Sequence, residues 1–432
     1  MATTDPTGPL TGIRVLEFSL IVAMPFNGIL LSDFGADVIK VEPLTGDPYR
    51  SSGAIVPGEG KRFQSLNRGK RSLAIDLATD DGRQLLYRIL PQVDVVTINY
   101  RPGVAQRLGI DYDTLSAIHP GLIYGNLTGF GPRGPMAGAG ATDLAATAYA
   151  GLVVGDAKVG PHGEPQGLTP AIADYTTGAA IGMAICAALF HRDRTGEGQL
   201  IEGSLLQSAL AIQDVYVMRQ PVTDASMRDP MMEDVQRLRA AGASYADQLE
   251  RRNEYRNSGA APPRLYYRSY VARDGAIVLG CLTKATRDGA RRVLDMQHDN
   301  SDQPEFDSTD PETRHQTEVW MAEIEQKVRL QPVAHWLQRF REAGVPVAPV
   351  QFPEELADDP QVEAMGIMVD LDHEITGPQR VVGPIVSMSK TPLAARRAAP
   401  PLGRHTAEVL SELGLTPEEI AAFRANNIIG GD

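Results

Sequence analysis

The chain has 432 residues, of which 43% are hydrophobic and 22% charged, a composition typical of a globular protein with one large or two ordinary domains. The net charge of −13 argues against a nucleic-acid-binding protein, because neutralising a phosphate backbone requires a basic face. The polar start of the chain argues against a signal peptide, and no apolar run approaches the ~20 residues of a membrane span, so a cytoplasmic protein without a membrane partner is expected.

Strand and helix patterns alternate through the first 130 residues. Strands are expected at 13–18, 36–41, 73–77, 93–98 and 122–127, with helices at 25–34 and 80–90. This alternation predicts an α/β fold with a mostly parallel sheet, in which ligands bind beyond the carboxyl ends of the strands. The loops at Glu42, Asn99 and Gly129 lie at such ends. The first turn has no Gly-x-Gly-x-x-Gly pattern, so a nicotinamide dinucleotide is not indicated.

Basic residues cluster after the second strand, although the chain as a whole is acidic. Lys61, Arg62, Arg68, Lys70 and Arg71 are followed by Arg101 and Arg107. Such a cluster suits a small phosphorylated ligand, and it equally suits a solvated charged face. The sequence leaves both interpretations open.

Asp174 stands in front of a stretch of small apolar residues that predicts a helix from Gly178 to about His191. The positive end of a helix favours an ionised carboxylate, which is the nucleophilic form. An aspartate in this place is most often a helix cap. Taken alone, Asp174 is therefore compatible with either a capping or a nucleophilic role.

Patterns in the second half of the chain predict a second domain. The polar segment 218–261 is interpreted as a linker, 265–282 as a hairpin that turns at 273–275, and 333–343 and 416–426 as helices. A large domain is expected to combine residues 1–217 and 333–432, and a small domain to span 262–332. Histidines and cysteines show no metal-ligand spacing, so no metal site is expected.

Eight short motifs occur together in an order that resembles family III CoA-transferases, the group of formyl-CoA transferase, carnitine CoA-transferase and α-methylacyl-CoA racemase. The resemblance covers residues from about 9 to about 429. The motifs are residues 10–18, 35–42, 67–72, 99–104, 129–132, 194–199, 343–350 and 402–406.

This resemblance implies a Rossmann-like large domain with a mostly parallel sheet, a smaller α+β domain, and an interlocked homodimer. It implies an acyl-CoA thioester and a carboxylic acid as substrates, with no permanently bound cofactor. Asp174, four residues before Gly178, matches the family's nucleophilic aspartate. The implied CoA contacts are Val22, Ala23, Ile75, Asp76, Leu77, Ala78, Asn99, Tyr100, Arg101, Arg107, Gly140, Ala141 and Thr142.

The chemistry expected from this resemblance is an exchange of thioesters through an acyl-aspartyl anhydride and an aspartyl-CoA thioester on Asp174, with a dicarboxylate such as succinate as a candidate donor acid. Racemases of the group place a histidine before an aspartate, where this chain has Thr142 and Asp143, so racemization is ranked below transfer. Asp143 is open between an assisting and a structural role. Intramolecular transfer within one dicarboxylic acid and a non-catalytic acyl-CoA-binding relative are the remaining alternatives.

Overall fold

The computed structural model describes residues 8–155, 158–161, 163–167, 170–258, 264–307 and 310–431. The chain forms two compact units, Met1–Met218 with Asp359–Asp432 and Arg219–Asp358. The strands are β1 (Arg14–Phe18), β2 (Asp37–Glu42), β3 (Arg71–Ile75), β4 (Val95–Ile98), β5 (Ile123–Thr128), β6 (Gln199–Ser204), β7 (Tyr267–Val271), β8 (Ala276–Gly280), β9 (Val347–Pro349), β10 (Met368–His373), β11 (Gly377–Val382) and β12 (Ile429–Gly430).

The helices have widely different lengths, from single turns to the 24 residues of the eighth. They are α1 (Ala23–Asp33), α2 (Lys61–Asn67), α3 (Asp80–Ile89), α4 (Val104–Leu108), α5 (Tyr112–Ile118), α6 (Asp143–Tyr149), α7 (Leu152–Gly155), α8 (Ile172–Thr195), α9 (Leu205–Ala211), α10 (Pro221–Ser226), α11 (Arg228–Ala240), α12 (Tyr245–Ser258), α13 (Lys284–Leu294), α14 (Pro311–Arg329), α15 (Val333–Glu342), α16 (Pro360–Ala364), α17 (Thr406–Glu412) and α18 (Pro417–Ala425).

A seven-stranded sheet in the order β12-β3-β2-β1-β4-β5-β6 forms the larger unit. All neighbouring strands are parallel except β12, which pairs antiparallel with β3. The strand order reverses between β1 and β4, and in doubly wound sheets such a switch point opens a crevice for ligands. The predicted α/β fold with a mostly parallel sheet is confirmed.

Helix α8 is the central helix of the larger unit. Its buried face packs with α1 and the sheet in a core that includes Ile181, Ile185 and Leu189. By length and composition alone α8 could cross a membrane, since an 18-residue window of it has a mean hydropathy of 1.4, but 44% of that window is buried inside the protein. It begins at Ile172 rather than at the expected Gly178, so Asp174 lies in its first turn.

The smaller unit has an antiparallel sheet, β7-β8-β9, and a core that includes Trp320, Trp336 and Phe340. The predicted hairpin is β7–β8, in which Val271 pairs with Ala276. The segment 218–261, expected as a linker with a helix at about 233–252, contains helices α10 to α12 as far as Ser258, while 259–261 lie outside the described residues. From Arg219 it is part of the smaller unit.

Helix α15 and strand β9 belong to the smaller unit, although 333–358 was expected in the large domain. Strand β9 pairs with β8, which lies some 70 residues earlier in the chain. Local patterns do not reveal pairing between such distant segments. In the same way, Trp336 and Phe340 of α15 are buried among side chains of the smaller core.

Candidate active site

A cavity of about 670 Å³ lies at the carboxyl ends of the central strands of the larger unit. Residues at the ends of β2 to β5 line it, together with the loop after β1 and the first turn of α8. The lining therefore contains residues from both sides of the switch point between β1 and β4, which is where the fold favours a ligand.

Most of the residues implied by the sequence resemblance surround this one cavity. Ala23 and Arg107 do not line it: Ala23 is buried in α1 and its carbonyl oxygen faces Gly178 of α8, while Arg107 is exposed on α4. The structure places along the cavity Val22, Ile75, Asp76, Leu77, Ala78, Asn99, Tyr100, Arg101, Gly140, Ala141, Thr142, Asp143 and Asp174.

Asp174 is half-buried in the cavity wall. Burial raises the pKa of its carboxyl to about 7, and the nearby negative charge of Asp143 acts in the same direction. The sequence predicted that the helix terminus would favour the ionised form of Asp174. In the structure the surroundings of Asp174 favour the protonated form instead, because burial away from water and the like charge of Asp143 both disfavour its ionisation.

Asp143 contacts the backbone of Asp174 across 31 residues of sequence. Its Oδ1 accepts a hydrogen bond from the Asp174 N–H at 3.0 Å, so Asp143 satisfies one of the free N–H groups in the first turn of α8. Thr142 precedes α6 and its hydroxyl accepts a hydrogen bond from the Ala145 N–H, which makes it the cap of that helix. Both residues thus have defined structural contacts at the edge of the cavity.

Asn99 fixes the loop that follows β1. Its Oδ1 accepts from the Leu20 N–H at 2.9 Å and its Nδ2 donates to the Leu20 carbonyl oxygen at 2.8 Å. The next residue, Ile21, has φ +71°, a left-handed conformation that β-branched residues rarely adopt. Asn99 therefore joins the loops of β1 and β4 at the switch point.

An apolar part of the cavity wall was missed by sequence reasoning. Leu20 and Ile21 follow β1, Leu127 is the last residue but one of β5, and Leu205 begins α9. Their only sequence signal is their place next to expected strand ends, since leucine and isoleucine are otherwise ordinary core residues.

Three members of the basic cluster have partners inside the fold. Arg68 pairs with Asp33, and Lys70 is fully buried against Glu17. Arg71 is held by Asp37 and by two glutamates of α17. The phosphate-binding interpretation is therefore wrong for these three side chains. Arg101 is different, because it is exposed and lines the cavity, where it packs beside Gly140.

Together these features define an α/β protein that holds a half-buried aspartate at the ligand crevice of a doubly wound sheet. The sequence model of CoA-transferase family III matches residues 10–406, and the chain therefore belongs to CoA-transferase family III. It is an enzyme that transfers CoA, and a CoA thioester is its substrate. The family resemblance drawn from the sequence is confirmed.

Individual relatives match over nearly the whole chain. A succinate–glutarate CoA-transferase from Agrobacterium fabrum is 33% identical over 94% of this chain and 96% of its own length. The succinyl-CoA:glutarate CoA-transferase of Homo sapiens is 29% identical over 94% of this chain and 86% of its own. A crystal structure of a CaiB/BaiF family protein from Brucella suis matches with a TM-score of 0.73 and 28% identity, covering 94% of this chain and all of that one.

Proposed function

We propose that the protein moves CoA from a dicarboxylic acyl-CoA, such as succinyl-CoA, to a separate carboxylic acid, with Asp174 as the covalent nucleophile. The observation that carries this proposal is the half-buried carboxylate of Asp174 in the wall of the cavity. The names of the relatives from Agrobacterium and Homo sapiens support succinate as one of the two acids.

Transfer takes four displacements at acyl carbons. The Asp174 carboxylate attacks the thioester carbonyl and the C–S bond breaks. CoA departs as a thiolate, and an acyl-aspartyl anhydride remains on the enzyme. The thiolate then attacks the aspartyl carbonyl and releases the donor acid, which forms an aspartyl-CoA thioester. The acceptor carboxylate attacks the aspartyl carbonyl of this thioester, the C–S bond breaks, and a second anhydride forms between the acceptor acid and Asp174 as the thiolate is expelled. Attack by the thiolate on the acceptor's acyl carbon gives the new acyl-CoA and restores Asp174.

A pKa of about 7 suits Asp174 for this role. The ionised form is accessible near neutral pH, and it is more basic than an exposed aspartate and hence a stronger nucleophile. Burial has a second benefit, because a site poor in water protects an anhydride from hydrolysis.

The CoA moiety is assigned to the loops that line the cavity. Ile75 to Ala78 are proposed to lie along the adenosine, and Val22 near the thioester. Arg101 is the basic side chain assigned to the phosphates, because it lines the cavity and Arg107 does not. The apolar wall formed by Ile21, Leu127 and Leu205 is available to the pantetheine chain.

Racemization is the less favoured reaction because Thr142 stands where an acid–base histidine would be needed. Its hydroxyl accepts the Ala145 N–H as a helix cap, and a threonine hydroxyl does not abstract protons at neutral pH. Intramolecular transfer would use the same Asp174, so the requirement for a separate acceptor acid separates it from the proposed reaction.

A homodimer is part of this proposal. Helix α8 exposes Met183 and Phe190 to solvent at 73% and 58%. Large apolar side chains of this kind on a core helix are typical of surfaces that another chain covers. We propose that a second copy of the chain covers them, in line with the interlocked dimer that the sequence resemblance implies.

The decisive experiment is intact-protein mass spectrometry after incubation with succinyl-CoA and trapping with hydroxylamine or borohydride. The wild type is expected to carry a trapped modification that maps to Asp174, and the Asp174→Ala variant none. CoA exchange should then require an added acceptor acid.

Two results would contradict the proposal. Absence of an adduct with a broad panel of acyl-CoA thioesters, combined with exchange of the α-proton in deuterated water, would favour racemization in spite of Thr142. CoA movement within one dicarboxylic acid without any added acceptor would favour the intramolecular alternative.

A further inference from the structure

Four charged side chains form a buried cluster next to the cavity, and the transfer chemistry uses none of them. Glu17, Lys40 and Lys70 are 0% exposed and Asp47 is 2% exposed. We call these four residues the charged core cluster. Glu17 and Lys40 face each other in the register of β1 and β2, and the cluster balances two positive and two negative groups.

Stability alone does not account for the charged core cluster. Removing charges from water costs free energy that their attraction repays only in good geometry, and well-packed apolar replacements of buried ion pairs are often neutral or stabilising. The fold also makes room for the cluster, because a Cβ on Gly28 of α1 would lie 1.7 Å from Oε2 of Glu17. What the cluster contacts is therefore more informative than how much it stabilises.

Lys40 joins two loops that border the cavity. Its ammonium group donates to the Ser19 carbonyl oxygen at 2.7 Å and to the Ser19 hydroxyl at 3.2 Å. The same group lies 3.2 Å from Oδ2 of Asp47. Ser19 immediately precedes the lining residues 20–22, and Asp47 stands between the lining residues Gly46 and Pro48.

The loop that Lys40 holds contains the strained residue of the site. Ile21, at φ +71°, is kept in a conformation that persists only where the surroundings enforce it. Two anchors stand directly before it, Lys40 on Ser19 and Asn99 on Leu20. Loss of either anchor leaves the loop free to relax away from its place in the cavity wall.

We propose that Lys40 is a positioning residue for CoA transfer, which holds loop 20–22 through Ser19 and Asp47 so that the thioester carbonyl meets Asp174. This inference rests on the proposed function. Because a displacement of about 1 Å at a reacting centre costs about 10²-fold in rate, the effect belongs in kcat more than in substrate binding.

Lys70 provides the matched comparison within the same cluster. It donates to the carbonyl oxygens of Pro25 and Leu66 and to the side chain of Asn67, and none of these three residues lines the cavity. It is as fully buried as Lys40 and it also pairs with Glu17. A purely structural cluster would make the two lysines equivalent in their effect on catalysis.

The test uses two double variants that each remove one positive and one negative charge. Lys40→Met with Asp47→Asn breaks the contact to Ser19 and leaves the Glu17–Lys70 pair. Glu17→Gln with Lys70→Met leaves the Lys40–Asp47 pair and the contact of Lys40 to Ser19. The amide oxygen that replaces a carboxylate oxygen of Glu17 can still accept the hydrogen bond that the Ser19 hydroxyl donates to Glu17 at 2.6 Å. For both, thermal unfolding, steady-state kinetics with succinyl-CoA, and hydrogen exchange of the Leu20 amide are measured against the wild type.

The Lys40→Met/Asp47→Asn variant is expected to lose about 10²-fold in kcat, while KM for the acyl-CoA changes by less than about threefold. Its Leu20 amide should exchange faster, since the hydrogen bond to Asn99 loses its neighbouring anchor. The control variant should keep the kcat and the Leu20 exchange of the wild type at a similar or lower melting temperature.

Equal losses of kcat in both variants would overturn the proposal, as would a wild-type kcat and wild-type exchange in the Lys40 variant. If that variant does not fold, Asn99→Ala releases the same loop without a buried charge, and an unchanged kcat there would also overturn it. Failure of the proposed function would be seen separately, as a wild type that forms no adduct at Asp174, while the exchange data still report on the loop.

Discussion

The Asp174 side chain is proposed to carry out the reaction, and its ionised form also destabilises the folded protein. Its pKa of about 7, raised by burial and by Asp143, makes the ionised form basic enough to attack a thioester. The same environment disfavours the ionised form in the folded protein. Two measurements at the level of single residues separate these effects.

Replacement of Asp143 by Asn is expected to shift the pH dependence of catalysis. In the wild type, kcat/KM should rise with pH through about 7, because ionised Asp174 is the nucleophile. Asn keeps an oxygen that can accept the Asp174 N–H but removes the charge, so the midpoint should move below 7. The measurement is kcat/KM for succinyl-CoA between pH 5 and pH 9.

The control for this prediction is Asp143→Ala, which also removes the acceptor of the 3.0 Å hydrogen bond. It should lower the maximal rate in addition to moving the midpoint. An unchanged midpoint in the Asn variant would show that Asp143 does not act on Asp174 through its charge.

Replacement of Asp174 by Asn is expected to abolish turnover, by about 10³-fold or more, and to stabilise the fold at alkaline pH. The folded pKa of about 7 lies above the unfolded value of 3.8, so between about pH 4 and 7 the unfolded chain releases a proton that the folded chain retains. The free energy of unfolding therefore falls as the pH rises from about 4 to 7, because ionisation of Asp174 is easier in the unfolded chain. Above about pH 7 the loss is complete and no longer changes with pH.

Melting temperatures of Asp174→Asn and wild type, measured at pH 4 and pH 8, check this prediction. The advantage of the variant should be larger at pH 8 than at pH 4. An advantage that is equal at both pH values would contradict a raised pKa for Asp174.

At the level of secondary structure, the contact between α1 and α8 sets the position of Asp174. A Cβ on Gly178 would lie 2.3 Å from the carbonyl oxygen of Ala23, so only glycine allows the two helices to approach this closely. Asn27 of α1 adds a hydrogen bond to the Gly178 carbonyl oxygen at 3.0 Å. The first turn of α8 is thus seated against the start of α1.

Gly178→Ala is expected to destabilise the protein by about 1–3 kcal/mol, because the overpacked contact forces the helices apart. It should also lower kcat through the displacement of Asp174. Gly182→Ala in the same helix is the matched control, since its Cβ would meet only the end of the Asn27 side chain at 3.1 Å. Chemical denaturation and kinetics of both variants provide the measurement, and equal losses would contradict the close-approach argument.

At the level of the whole molecule, the exposed apolar residues of α8 bear on the assembly. Light scattering of the purified enzyme should give a mass of two 46.6 kDa chains over a range of concentrations. The physical reason is that covering residues such as Met183 and Phe190 removes apolar surface from water. A monomer at micromolar concentration would contradict the proposed homodimer. The predicted cytoplasmic location stays a prediction.

Local patterns in the sequence determined strands β1 to β5, helices α1 and α3, the alternation that makes the sheet parallel, and the family, but not the outer strands β6 and β12. They did so because periodicity and turn residues act within a few positions. The helix predicted at 416–426 shows this, since it is capped by Thr416, whose side chain forms a capping box with Glu419. Asp174 was recognisable as a candidate nucleophile through the family motif, in which an aspartate precedes a glycine by four residues; its position alone left a capping and a nucleophilic role open.

Only the tertiary structure decided which charges are buried and what they hold. Lys40 and Lys70 are ordinary basic residues in the sequence, and their burial depends on Glu17 and Asp47, which other segments supply. The raised pKa of Asp174 depends first on its burial and then on the charge of Asp143, 31 residues away. The membership of β9 in the smaller unit depends on pairing with β8. Each of these depends on contacts between distant segments, which no local pattern specifies.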